Sequence, residues 1–106
     1  MWREYHDKVD FTGNEYFEKI DATGEDKLKE HLGDFEAWVE YYREHDPKSD
    51  IARNYDFKRS LMDGEDYYYI ESEFRTLDNG STSFTKYDVY IYDIQTNVLY
   101  RFNHQT

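Results

Sequence analysis

Apolar residues recur along this chain with two different periods, and the change between them divides it. From Glu25 to His45 the apolar side chains return every three or four residues. Placed at helical intervals, Leu28, His31, Leu32, Phe35, Trp38, Val39 and Tyr42 share one arc, the stripe expected of a helix lying on a core. Thr23-Gly24-Glu25-Asp26 reads as a capping box, with Thr23 as cap and the Asp26 carboxylate reaching back. Gly33 falls on the far side of the arc and predicts a kink, or a break with Asp34 capping a second helix. Pro47 disfavours helix at Asp46 and ends the element.

After Ser49 the period becomes two. In NYDFKRSL, residues 54–61, Tyr55, Phe57, Arg59 and Leu61 alternate with polar neighbours, which predicts a first strand. A helical alternative over residues 50–62 stands beside it through Ile51, Tyr55 and Met62. Asp63-Gly64 is a hairpin signal. DYYYIESEFRTL, FTKYDVYIYDI and NVLYRFN follow as three more strands, separated by DNGSTS and by Gln95-Thr96-Asn97. Upstream, Trp2, Tyr5 and Val9, and then Tyr16, Phe17 and Ile20, fall at helical spacing on either side of Thr12-Gly13-Asn14. They predict two short helices around a turn, with Asn14 as a cap. The expected fold is α+β: N-terminal helices, one of them long and amphipathic over about 25–45, packed on a four-stranded antiparallel meander. In outline it is similar to the cystatin-like and NTF2-like rolls.

Composition sharpens this picture. A chain of 106 residues is one domain, 1–106, with room for one core. Its 20% aromatic content argues against disorder. There is no cysteine, which removes disulfides and thiolate zinc sites. No basic-then-apolar leader and no membrane-spanning apolar run are visible, so a cytoplasmic protein is expected.

The net charge is −11. Residues 1–50 carry 15 acids against 7 bases, and residues 51–106 carry 9 against 6, so the excess lies mainly on the helical half. Direct binding to nucleic acid or to anionic lipid needs clustered Lys and Arg, which this chain lacks.

No catalytic or metal-ligating pattern emerges. His6, His31, His45 and His104 share no ligand spacing. No serine stands in a nucleophile elbow, and no glycine-rich phosphate loop is present. Glu71 and Glu73 project from one strand face, but an open face would not desolvate them for acid–base work. His31 reads as a core-edge histidine. A non-enzymatic protein without metal or cofactor is expected.

Two surfaces are candidates for partner binding. The first is a ridge of Glu36, Glu40 and Glu44 opposite the apolar arc, about 6 Å apart along the axis and bordered by Trp38, Tyr41 and His45. Like charges at this spacing destabilise a helix by about 0.2–0.5 kcal/mol per pair, and only Arg43 lies near in sequence. The ridge is either an ordinary solvated face or a line of carboxylates that imitates phosphates. The second is a sheet face carrying Tyr67, Tyr69, Tyr90 and Tyr92 among Glu71, Glu73, Asp88 and Arg75. It is either an outer face rich in strand-forming tyrosine or a recognition surface.

In being small, acidic, cysteine-free and aromatic, the chain resembles phage-encoded inhibitors that act as DNA mimics, some anti-CRISPR proteins among them. That resemblance implies an inhibitor whose partner is a protein with a basic, nucleic-acid-binding surface. An immunity or antitoxin-type protein using the tyrosine face is the alternative, and a small-ligand-binding roll is a third. Dimerisation through the same aromatics stays open.

Overall fold

The computed structural model describes residues 1–7, 9–11 and 13–105. It is a mixed fold of one long helix and an antiparallel sheet. The strands are β1 (Trp2–Tyr5), β2 (Glu18–Lys19), β3 (Tyr67–Thr76), β4 (Thr82–Asp93) and β5 (Val98–Gln105). The helices are α1 (Ala22–His45) and α2 (Asp50–Asn54), and a single 3-10 turn covers Arg59–Leu61. The sheet order is β1-β5-β4-β3-β2. The meander is therefore three strands, and the chain's own N-terminal segments pair with its two edges.

The two short helices expected before residue 22 are replaced by these edge strands. Neither segment is long enough to form an isolated helix, and each satisfies its backbone on an existing strand instead. Trp2 pairs with Arg101 and Tyr5 with Val98, while Glu18 pairs with Tyr68. Asn14 does cap backbone groups, but in a turn: its Oδ1 accepts from Tyr16 N at 2.7 Å and Phe17 N at 3.0 Å. Gly13 takes a left-handed φ of 77°, and Thr12 of the expected turn lies outside the described residues.

Helix α1 starts earlier than its capping box suggested. Asp21, not Thr23, is the N-cap, with Oδ1 accepting from Gly24 N at 2.7 Å. The helix runs through Gly33 without a break, because packing of the apolar arc outweighs the roughly 1 kcal/mol that one glycine costs. It closes just before Pro47, at Asp46, whose backbone N–H donates to Tyr42 O.

Residues 54–61 are not a strand. Ser49 caps α2, and Arg43 of α1 donates to Ala52 O at 3.1 Å and to Tyr55 O at 2.8 Å. The segment folds beside α1 and inserts Phe57 edge-on against Tyr100 and Phe102. The alternation that suggested a strand is a run in which Tyr55 and Phe57 reach the core while Asp56 and Lys58 face outward. Asp63-Gly64 accordingly forms a turn that leads into β3 without joining two strands.

The core lies between α1 and the inner sheet face. Leu28, Leu32, Phe35 and Val39 meet Tyr68, Tyr87, Val89, Ile91, Tyr100 and Phe102, all buried. Tyr68 packs so tightly on the first turn of α1 that a Cβ at Gly24 would lie 2.6 Å from its ring. A bulge between Glu73 and Phe74 changes the register so that Phe74 opposes Phe84. Phe84 thereby turns to the helix side, 4.6 Å from the His31 ring.

Candidate functional site

Both expected surfaces can now be placed. The sheet alternation is as anticipated: Ile70 and Val89 face the helix, and Tyr67, Tyr69, Tyr90 and Tyr92 face the other way. That outer face, however, is not open. Because β1 and β2 sit at opposite edges, the chain between them must cross the sheet, and it crosses on the tyrosine side. Phe11 stacks on Tyr67 with centroids 4.3 Å apart and lies 5.2 Å from Tyr92. Phe17 lies 5.9 Å from Tyr69 and 6.2 Å from Tyr90.

Tyr92 is 2% exposed, and its hydroxyl donates to His6 O at 2.6 Å. Tyr67 and Tyr92 are thus part of a second small aromatic core. Their expected role as an exposed recognition surface is corrected, because the chain's own crossover occupies the place of a partner. Tyr69 and Tyr90 are half-buried beneath the same segment. The Tyr69 hydroxyl donates to Glu71 at 2.5 Å, and this bond raises its pKa to about 12.

On the remainder of that face one acid is neutralised within the sheet. Asp88, expected to be exposed, is buried and accepts from Arg101 Nη2 at 2.8 Å and from Asn103 Nδ2 at 2.8 Å. Burial alone would raise its pKa, but these bonds and the Arg101 charge outweigh it and lower the pKa. Arg101 also lies over the Tyr90 ring. Glu71 and Glu73 remain exposed toward the free side of β3.

On α1 the glutamate ridge divides. Glu36 is held in a fork by Arg59, with Nη2 at 2.5 Å from Oε1 and Nε at 3.2 Å from Oε2. The Tyr55 hydroxyl adds a third bond at 3.1 Å. Burial, and then the Glu36 charge, raise the Tyr55 pKa. Glu36 is therefore a strut between α1 and the segment after α2, and its place in an uncompensated ridge is corrected. Sequence reasoning missed Arg59 because the pair is separated by 23 positions and no local pattern links them.

Glu40 and Glu44 are exposed, with no ion-pair or hydrogen-bond partner among the described residues. At 100° per residue, Asp26 and Glu30 share their strip, within about 80° of arc, and are likewise exposed and unpaired. The outward crest of α1 thus carries two acidic pairs, each spanning about 6 Å, with Gly33 and Ala37 between them. The sequence carries this signal: Asp26 and Glu30 lie on the same wheel strip as Glu40 and Glu44.

The aromatic border holds together. Tyr41 is 49% exposed and stacks on His45 at 4.3 Å. Trp38 is half-buried, 5.8 Å from Tyr41 and stacked on His104 at 5.2 Å. His31 is buried deeper than a core edge. Its Nδ1 donates to Lys27 O at 2.8 Å, while Nε2 has no hydrogen-bond partner. The inner space where a roll would hold a ligand is filled by the core side chains.

Among the described residues, no group of three or more His, Cys, Asp or Glu side chains could hold a metal ion, and no helix is long and apolar enough to cross a membrane. The chain matches no protein-family model, no curated protein and no solved structure.

Proposed function

We propose that this chain is an acidic, non-enzymatic binding protein that blocks the basic, nucleic-acid-binding surface of another protein in the manner of a DNA mimic. The contact is made by the outward crest of α1. The observation that carries the reading is the contrast between its two candidate surfaces. Among the described residues, Asp26, Glu30, Glu40 and Glu44 stand exposed and unpaired in one strip, whereas the tyrosine face is covered by Phe11 and Phe17 of the same chain. Carboxylates about 6 Å apart suit Arg and Lys sockets built for successive phosphates, whose through-space separation exceeds their axial rise of about 3.4 Å per nucleotide because the strand winds around the axis. Tyr41, His45 and Trp38 border the strip and add contacts that salt does not screen.

The reading predicts fast and salt-sensitive association. Immobilised protein should retain nucleic-acid-binding proteins from a host lysate, and competing duplex DNA or about 0.5 M salt should release them. The variant Asp26→Asn, Glu30→Gln, Glu40→Gln, Glu44→Gln should fold normally and retain none. Retention that survives DNA, salt and this variant would overturn the proposal.

A further inference from the structure

Strand β3 is long, and β2 covers little of it. Pairing with β2 ends at Tyr68, while β3 continues to Thr76. Two hydrogen bonds fix which backbone groups point toward the uncovered side. Ile20 N donates to Asp66 O at 3.0 Å across the β2 side, and the Thr85 hydroxyl donates to Glu73 O at 3.3 Å across the β4 side. By alternation, the N–H and C=O groups of Ile70, Ser72 and Phe74 face the open edge. Those of Tyr69, Glu71 and Glu73 face β4. An edge with unpaired groups in register is a template for another strand.

The side chains along this edge say which strand fits. On the helix side of the sheet Ile70 is half-buried and Phe74 is 54% exposed. On the outer side Glu71 and Glu73 border a groove of about 410 Å³ that also reaches Lys86 and Asp88. A second copy paired antiparallel about Glu71–Glu73 would set carboxylate against carboxylate, which is unfavourable. We propose that the edge of β3 from Ile70 to Phe74 receives an extended segment of a partner in which apolar residues alternate with Lys or Arg. The apolar residues extend the helix-side layer beside Ile70 and Phe74, and the basic ones meet Glu71 and Glu73. Backbone bonds supply the affinity and the alternation supplies the selectivity, as in other strand-addition complexes. This site goes beyond the α1 reading and does not depend on it.

The test uses a peptide of alternating Lys and Val about eight residues long, with two controls: alternating Glu and Val, and the Lys and Val residues in separate blocks. Amide exchange is followed residue by residue. The Lys–Val peptide should slow exchange at Ile70, Ser72 and Phe74 by at least about tenfold at saturation, leave Glu71 and Glu73 unchanged, and do the same in the α1 crest variant.

Ser72→Pro removes an edge-facing N–H without touching the β4 ladder and should abolish binding. Glu71→Lys with Glu73→Lys should transfer the preference to the Glu–Val peptide. Equal binding of all three peptides, or no slowing at the three amides, overturns the proposal. So does a charge-swapped protein that still prefers Lys–Val. Slowing that grows with protein concentration and needs no peptide would show a second copy on the edge and overturn it equally.

Discussion

The sheet is covered on both faces, and the two covers are built differently. On the inner face a 24-residue helix presents a regular stripe, and Leu28, Leu32, Phe35 and Val39 are at most 2% exposed. On the outer face an irregular crossover lays down Phe11 and Phe17, both of which stay half-buried, and sets the exposed Tyr16 edge-on against Tyr69. The first cover removes nearly all water from its contact and should carry the stability of the fold. The second masks tyrosines that would otherwise form an apolar patch, at a smaller gain. A sheet face rich in tyrosine is therefore no sign of a partner until the path of the rest of the chain is known.

The sharpest way to break this comparison is to remove one ring from each side. Phe35→Ala deletes a ring packed 5.4 Å from Phe102 and should cost about 3–5 kcal/mol in urea unfolding. Phe11→Ala should cost about 1–2 kcal/mol and speed amide exchange mainly in residues 9–19. Equal losses would show that the two covers matter alike.

Asp66 sits where they meet. It is fully buried; its backbone carbonyl accepts from Ile20 N, and its carboxylate accepts from Asp63 N and Ile94 N. Burial pushes its pKa up from 3.8 to about 6, with the charges of Asp63 and Asp93 adding to the rise. The folded chain thus holds a proton that the unfolded chain releases above about pH 4. Asp66 favours the folded state fully below that pH, and its contribution disappears as pH rises through about 6. The slope is on the order of 2–3 kcal/mol in total. Unfolding followed across pH 4–7 should show it, and Asp66→Asn should flatten it.

Two glycines probe the inner cover alone. Gly24→Ala drives a methyl into the Tyr68 ring and should destabilise by about 1–3 kcal/mol. At Gly33 an added Cβ meets only an Arg59 nitrogen at 3.7 Å. Gly33→Ala should raise stability by about 0.5–1 kcal/mol. The smallest effects separate the glutamates: Glu36→Gln should cost about 1 kcal/mol through its bonds to Arg59 and Tyr55, and Glu44→Gln should stay within about 0.5 kcal/mol. Thermal denaturation resolves both.

These contrasts also show how much could be read along the chain. The helix, its apolar arc and the alternation of β3, β4 and β5 were legible because each is a local repeat whose period matches the element it forms. The short segments before residue 22 were not legible. Trp2, Tyr5, Phe17 and Ile20 suit a strand as well as a helix, and pairing with distant Arg101 or Tyr68 settled the matter. Residues 54–61 failed for the opposite reason: a period-two pattern was present, but Arg43 and the core pocket of Phe57 held the segment in another shape.

By itself the sequence determined an α+β fold, a long amphipathic helix, a strongly acidic surface and a short list of candidate faces. Periodicity and charge are properties of neighbours in the chain. Only the tertiary structure decided which candidates stay exposed. It paired Glu36 with Arg59, folded Phe11 and Phe17 over the tyrosines, and left the crest of α1 and the edge of β3 uncovered. Each of those outcomes joins residues far apart in the chain, and which distant groups meet is set by packing the whole chain at once.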